Sequence, residues 1–585
     1  MASALVDAPA APSPAPSTGT SAPRTRAGFM RRWLGSGLLI AFLAFLILVP
    51  AGFVLLASMT GSVPRPGNIS LSPTLGNFGV LGVPEVRQAF VNSMVMAIAA
   101  TLLAGLIGGT LAFLAARTDI RIPKFVYLVG LMPMFLPSYV GALAWSMLGS
   151  PNAGLLNIGL RDVGLPAFVN MYSMPGLVLV FAMYYAPYTF LMVHAALSLM
   201  SPDLEEAAQI HGSSTRTMLR RISFPLALPA VLGSAILTFT LIFENFPVAQ
   251  VLGTPGGVDT LPTFIFRLLN ATPSRGNESA AIAVVLVAVV IIATTLQNRV
   301  IAKRSFTTVT GKGVKNKKIA LGAWRTPALV AVLGFFTLSI LLPLLALVVT
   351  AGRTSPYMSS IGDLFQPGAF DLSIVGTVLQ SSSFLDATGN SVVVSVIAAS
   401  AGTVLAFLCG YAVYRTTVSG RRLIEGISMV PLAIPAVVLG MGLLWTWLVM
   451  PIPLYGTLAV MAIAFIAVQS PQGFRGIASS ILQTDRDLED SAVMLGASRT
   501  RAILAVTVPL MKVGLLSTFV LLLMLSMREL TVPLFLYTTD TKILSIAIYD
   551  AFENGGALRG AAAMSLLYCL VMFVLSYIPR RLANR

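Results

Sequence analysis

Charge is scarce in this sequence: 10% of its 585 residues are Asp, Glu, Lys or Arg. A soluble domain carries about 25%, so the chain lacks the polar surface to stand in water. That excludes a large soluble enzyme, a DNA-binding module and a secreted scaffold. Cysteine occurs twice, as Cys409 and Cys569, each inside an apolar run. The pair supports no disulfide framework, zinc site or thiol catalysis, and reads as two small buried hydrophobes. Histidine also occurs twice, and His194 and His211 read as a packing residue and a loop residue rather than ligands. No Gly-x-x-x-x-Gly-Lys-Ser/Thr phosphate loop is present, since Gly311-Lys312-Gly313 lacks the spacing. What the sequence does have is apolar: 56% hydrophobic residues and a mean hydropathy of +0.86 describe an all-α polytopic membrane protein. Its net charge of +16 would suit nucleic acid in a soluble protein. In a membrane protein it belongs to cytoplasmic loops, and no nucleic-acid partner is expected.

Residues 1–27 are mostly Ala, Pro and Ser, a composition that buries no core and predicts a disordered tail. Arg24, Arg26, Arg31 and Arg32 then precede an apolar run from Trp33 to about Leu56. The run is too long for a cleaved signal segment and reads as a first membrane helix entering from the cytoplasm. Further runs long enough to span begin near Asn92, Phe125, Pro175, Leu226 and Ala280. Six more begin near Pro327, Asn390, Leu423, Tyr455, Met511 and Ala561. The reading is 12 spans: one six-span half over 28–300, a basic cytoplasmic linker over 301–326 and a second half over 327–585. With both termini cytoplasmic, 29 of the 38 Lys and Arg fall on cytoplasmic segments, as the positive-inside rule requires. The basic block around Lys303, Arg304 and Lys312 reads as a solvated linker, with contact to anionic membrane lipid as the alternative.

The second half repeats the first. Asn92-Ser93 parallels Asn390-Ser391, Pro133 and Pro137 parallel Pro431 and Pro435, and Arg117-Thr118 parallels Arg415-Thr416, each 298 positions apart (416 − 118). Later pairs, Gly212 with Gly496 and Pro225 with Pro509, are 284 apart (496 − 212). The difference places an insertion between the third span and the following cytoplasmic loop of the first half, in the external loop after Ser150. Two parallel six-helix repeats about an axis along the membrane normal put a translocation path between them.

Between the fourth and fifth spans the chain reads Glu206-Ala207-Ala208-x-x-x-Gly212, nine residues, then Ile222-x-Phe224-Pro225. The pattern predicts a helix, a turn at Gly212 that needs a left-handed backbone, and a second short helix running into the membrane. The second half reads Asp490-Ser491-Ala492-x-x-x-Gly496, again nine residues, then Val506-x-Val508-Pro509. One such loop would pass for an interfacial amphipathic helix. Two with the same Gly-to-Pro spacing, both on the basic side, call for a purpose.

Here the sequence resembles the permease subunits of binding-protein-dependent ABC importers, whose cytoplasmic signature is Glu-Ala-Ala-x-x-x-Gly, nine residues, Ile-x-Leu-Pro. The first loop departs from it only at Phe224; the second departs at Asp490, Ser491, Val506 and Val508. The resemblance implies that each loop docks in a cleft on a cytoplasmic ATPase, with two ATPase copies clamped on the two loops. It also implies a periplasmic substrate-binding protein and a bacterial inner (cytoplasmic) membrane location. ATP and magnesium would then sit on the partner ATPase, with no cofactor and no catalytic residue in this chain. An ion-coupled secondary transporter is the competing class, since six-plus-six repeats occur there too. It leaves the duplicated loop without a role, as does a membrane scaffold.

Charges inside spans are costly and therefore candidates for function. Glu244 and Glu529 lie in the spans that follow the two loops, toward their outer ends, with Arg528 beside Glu529; at a separation of 284, Glu244 aligns with Arg528 and Asn245 with Glu529. Two readings stand open: acidic groups meeting at the pseudo-twofold axis to contact a cation, or an Arg528–Glu244 ion pair closing a gate. Within the family, Arg-Glu-Leu here and Leu544-Ser545-x-x-Ile548-Tyr549-Asp550 downstream resemble the fused ferric iron group. Carboxylates suit a hard cation, which ranks ferric iron first, thiamine and polyamines next and aminoethylphosphonate last. No stable metal site is expected.

Overall fold

A computed structural model describes residues 36–200, 203–302, 318–355, 357–553 and 557–583. The expected tail at 1–27 and most of the linker lie outside these. Among the described residues, nine continuous helices are long and apolar enough to cross a membrane, and counting each of three bent pairs as one span gives twelve. Helices are the expected answer for such a sequence, because only they satisfy every backbone N–H and C=O of an open chain within lipid.

In the first half, spans 1 to 6 are Ser36–Ser58, Pro84–Arg117, the pair Pro123–Met134 and Ser138–Gly149, Met174–Leu199, Thr215–Phe243 and Gly276–Val300. In the second, spans 7 to 12 are Gly322–Gly352, Ser382–Arg415, the pair Arg421–Leu432 and Ala436–Val449, Leu458–Gln483, the pair Arg499–Leu510 and Lys512–Met527, and Leu558–Leu575. The repeat holds to the residue. Spans 2 and 8 are both 34 residues long and begin 298 positions apart (382 − 84). Spans 4 and 10 are both 26 residues long and begin 284 apart (458 − 174). The 14 residues (298 − 284) that separate the two offsets fall between spans 3 and 4 and include a short helix, Leu155–Asp162, which has no counterpart between spans 9 and 10 among the described residues.

Spans 2 and 8 start eight residues before the expected Asn92 and Asn390, because their first turns are polar and only the later turns are apolar. At 1.5 Å per residue each is about 51 Å long, well beyond the hydrocarbon core of about 30 Å. Spans 3 and 9 bend by 91° and 110° at their proline pairs. Leu136, just before Pro137, is extended (ψ 124°), the conformation that a following proline ring imposes.

The asparagine–serine pairs that open the repeat have structural tasks. Asn92 donates to the Asp259 carbonyl and Ser93 accepts from the Leu261 amide, at 2.9 and 2.8 Å. Asn390 and Ser391 hold Lys542 O and Leu544 N in the same way, at 2.9 and 2.7 Å. Each pair fixes the start of a helix between the last two spans of its half, Leu261–Leu269 or Leu544–Glu553.

The two halves exchange their first spans. Span 1 packs on span 9 of the other half as well as on span 6, and span 7 packs on spans 3 and 12. Phe45 meets Trp447 edge-on at 6.1 Å, and Phe125 meets Phe336 at 5.8 Å. The span 1–span 9 approach depends on Gly442, where a Cβ would lie 2.3 Å from the Pro50 carbonyl oxygen. One apolar core runs through both halves. The described end of the linker is tied to the first half: Ile319 N donates to Arg117 O, and Asp119 accepts from the Leu321 amide and the Arg325 guanidinium. Those bonds, with the Leu321 amide first, hold the Asp119 carboxyl below its ordinary range.

Candidate functional site

Each of the two signature loops is a helix, a left-handed glycine and a second helix set by its own cap. The first loop helix is Asp203–Ile210 and the second is Asp487–Met494. Both end in a Schellman turn. Ser213 N donates to Ala208 O and Gly212 N to Gln209 O, both at 2.9 Å; Ala497 N and Gly496 N repeat this at 3.1 and 3.0 Å. Gly212 and Gly496 have φ of +79° and +93°, in the region that favours glycine. Ser214 and Ser498 then cap the next helices by accepting from Thr217 N and Arg501 N, each at 3.3 Å.

Those helices do not stop before the prolines. A wide π turn, Leu219–Ser223 or Ile503–Thr507, leads straight into span 5 or span 11. Pro225 and Pro509 thus sit just inside a continuing helix, where the wide turn removes the need for the missing N–H. Beyond this point the halves differ: span 5 runs on unbroken, whereas span 11 bends by 74° at Met511.

The outer face of the loops is part charged and part apolar. Glu206 and Ala207 are exposed, Ala208, Asp490 and Ala492 half-buried, and Ser491 exposed. At the tips, Ile210 is 84% exposed, Met494 88% and Leu495 89%. Exposed apolar side chains at a loop tip are what a protein-docking surface presents. Asp490 pairs with Arg486 and Arg499 at 3.4 and 3.0 Å, while Glu206 has no ion-pair partner among the described residues.

Sequence reasoning missed the acid one position earlier. Glu205 and Glu489 are 6% and 2% exposed and point back into the protein. Ser223 donates to Glu205 at 2.6 Å and Thr507 to Glu489 at 2.7 Å, so each loop helix is bonded to the helix that becomes span 5 or span 11. The repeat itself carried a signal: Glu205 and Glu489 are identical at the 284 separation, and Ser223 and Thr507 are both hydroxyls.

At the far ends of spans 5 and 11 the four pathway candidates come together, and of the two readings left open the Arg528–Glu244 ion pair is not formed among the described residues. Arg528 donates to the Met134 carbonyl at the break of span 3, at 3.1 Å, and forms no ion pair with Glu244 among the described residues. Glu529 accepts from the amides of Thr531 and Val532 at 3.0 and 3.3 Å, capping the segment that follows. Asn245 does the same for Val248 N at 3.1 Å and donates to the Tyr185 hydroxyl at 2.7 Å. Glu244 is half-buried, lies within Coulombic reach of Glu529, and has no hydrogen-bonded or ion-paired partner for its carboxylate among the described residues. Asn245 and Glu529 are therefore equivalent caps, and Glu244 is the acid left over. Among the described residues no cluster of three His, Cys, Asp or Glu could hold a metal ion.

The model of the family described as "Binding-protein-dependent transport system inner membrane component" matches residues 105–307 and again 402–584. The chain belongs to that family. It is the fused two-half form of an ABC importer permease, an integral protein of the inner membrane. The ferric transport system permease protein FbpB of Actinobacillus pleuropneumoniae is 21% identical over 504 residues, 85% of this chain and 72% of that protein. The putative 2-aminoethylphosphonate transport system permease protein PhnV of Salmonella typhimurium is 30% identical over 190 residues, 31% of this chain and 72% of that protein. A solved bacterial ABC transporter for import of alginate aligns at 22% identity over 47% of this chain and 98% of its own, with a TM-score of 0.39.

Proposed function

We propose that this permease carries ferric iron into the cytoplasm, driven by two cytoplasmic ATPase subunits docked on the loops around Glu206 and Asp490. In this reading the ATPases hold the ATP and magnesium, and a periplasmic binding protein delivers the substrate. Both termini and both loops then face the cytoplasm. Closure of the ATPases draws the loop helices together, and the two halves reorient to open the path between spans 5 and 11 to the other side.

The observation that carries the reading is the pair of loops. They share one backbone geometry and end in apolar residues more than four-fifths exposed. Iron is favoured by the similarity to FbpB along most of the chain and by the unpartnered carboxylate of Glu244, a hard oxygen donor beside the path. The similarity to PhnV favours aminoethylphosphonate as a second substrate reading.

One assay tests both levels. Cells lacking their own uptake routes would express the chain with its ATPase and binding protein. Labelled ferric iron would be challenged with unlabelled thiamine, spermidine and aminoethylphosphonate. Saturable iron uptake that ignores the organic compounds is expected, and uptake of an organic compound instead would remove the iron reading alone. Glu206→Arg combined with Asp490→Arg is expected to abolish ATP-dependent uptake while membrane insertion persists; unchanged uptake would remove the docking reading.

A further inference from the structure

We propose that Glu205 and Glu489 are the joints that deliver movement of each loop helix to the spans, and that the two joints are built unequally. The inference deepens the importer reading and rests on it. Each loop helix is short and its outer face is exposed, so a push from outside reaches the spans only through what anchors the inner face. That face is held by one buried carboxylate per loop. In the first half Glu205 pairs with the Arg117 guanidinium, at the cytoplasmic end of span 2, and accepts from Ser223 at the foot of span 5. The loop helix is thereby fastened to spans 2 and 5 together.

The second half keeps the acid and the hydroxyl but changes the cation. The counterpart of Arg117 is Arg415, which donates to the carbonyls of Ile481 and Thr484 at the end of span 10 instead. Glu489 is held by the Tyr411 hydroxyl of span 8, by Thr507, and by Arg499 at 3.0 Å. Arg499 has no basic counterpart in the first half, where Thr215 stands (499 − 284). So the acid is the same, and its arginine has moved from the end of span 2 to the first residue of span 11.

The consequence is a difference in stiffness. The Arg117 side chain is 1% exposed, and Glu205 is its only ion-pair partner among the described residues. The Arg499 side chain is 43% exposed and divides its charge between Glu489 and Asp490. A buried ion pair is screened little and resists separation, whereas one open to water is screened and exchanges partners. Ile319 N on the Arg117 carbonyl ties the linker to the first joint as well, and no such tie is made to Arg415 among the described residues. The first loop acts as a stiff joint, the second as a compliant one.

The test measures substrate uptake and ATP hydrolysis in the same vesicles, using the chain reconstituted with its ATPase and binding protein. Glu205→Gln is expected to lower substrate moved per ATP hydrolysed by about tenfold, the fold-change of one lost charge-assisted bond. Glu489→Gln is expected to lower it by about threefold, because Arg499 keeps Asp490. Arg117→Glu combined with Glu205→Arg is expected to recover most of the ratio. A merely structural role would reduce the amount of assembled complex and leave the ratio alone. If Glu205→Gln does not accumulate, Ser223→Ala, which keeps the ion pair and removes one leg, is expected to lower the ratio by about threefold. An unchanged ratio in assembled Glu205→Gln or Ser223→Ala complex overturns the joint. Equal falls for Glu205→Gln and Glu489→Gln overturn the inequality. A wild-type complex without ATP-dependent uptake sinks the importer reading, and the joint with it.

Discussion

Glu244 and Glu529 stand at corresponding ends of spans 5 and 11, yet among the described residues only the Glu529 carboxylate is hydrogen-bonded. Glu529 caps two amides, so Glu529→Ala leaves both without an acceptor and is expected to cost about 0.5–2 kcal/mol. Glu529→Gln keeps a carbonyl oxygen in place and is expected to be close to neutral for stability. Glu244 has no partner to lose, so Glu244→Gln is expected to change stability by less than about 0.5 kcal/mol. Its effect belongs to transport. In the proposed iron importer, removal of this acid, unpartnered among the described residues, is expected to reduce iron uptake severalfold at unchanged amounts of complex. Thermal unfolding of the purified variants, set beside uptake, separates the two acids. Wild-type uptake from Glu244→Gln would strip that residue of its role and weaken the case for a cation.

At the scale of the element, the two loops test how far one turn can be copied. Gly212 and Gly496 both have a left-handed backbone, and a Cβ at either would meet nothing within 4 Å. Alanine there adds backbone strain without a clash, expected at about 1–2 kcal/mol for each substitution. Asparagine, which tolerates that region, is expected to cost less. Equal losses in thermal stability from Gly212→Ala and Gly496→Ala are the expected result, and no loss at either would mean that the turns re-form in another way. These turns were legible in the sequence because a Gly-to-Pro spacing states a backbone requirement. The buried acids were not. Glu205 and Glu206 are adjacent, and nothing local says which faces inward; the answer comes from Arg117, 88 positions away (205 − 117), once the spans are packed. The same holds for Arg528, whose partner is a span 3 carbonyl exposed by a proline break and not the acid that the repeat alignment placed beside it. Proline positions announced that break, but not what would fill it.

For the whole molecule, the exchange of first spans changes what the linker is for. Spans 1 and 7 bury their faces on spans 9 and 3 of the opposite half, so the halves are held by packing that does not depend on the covalent connection. The repeat and the span count were readable from the sequence, since apolar length and a fixed separation of matching residues are both one-dimensional. The exchange was not, because each first span is apolar on every side and carries no mark of its neighbour. A chain divided between residues 302 and 318 and expressed as two pieces is therefore expected to reassemble. A tag on the first piece should recover the second in near-equal amount from detergent. Gly442→Val sharpens the test, because its side chain must enter the space of the Pro50 carbonyl, which as backbone cannot swing aside. Overpacking of this kind costs about 1–3 kcal/mol, and in the divided protein that falls directly on association. A fall in recovery of about tenfold or more is expected from Gly442→Val in the divided protein, with a smaller effect in the fused chain, where the linker keeps the halves at high effective concentration. Full recovery of the divided Gly442→Val protein would mean that the halves meet through their other spans instead, and that the crossed first spans are not what joins them.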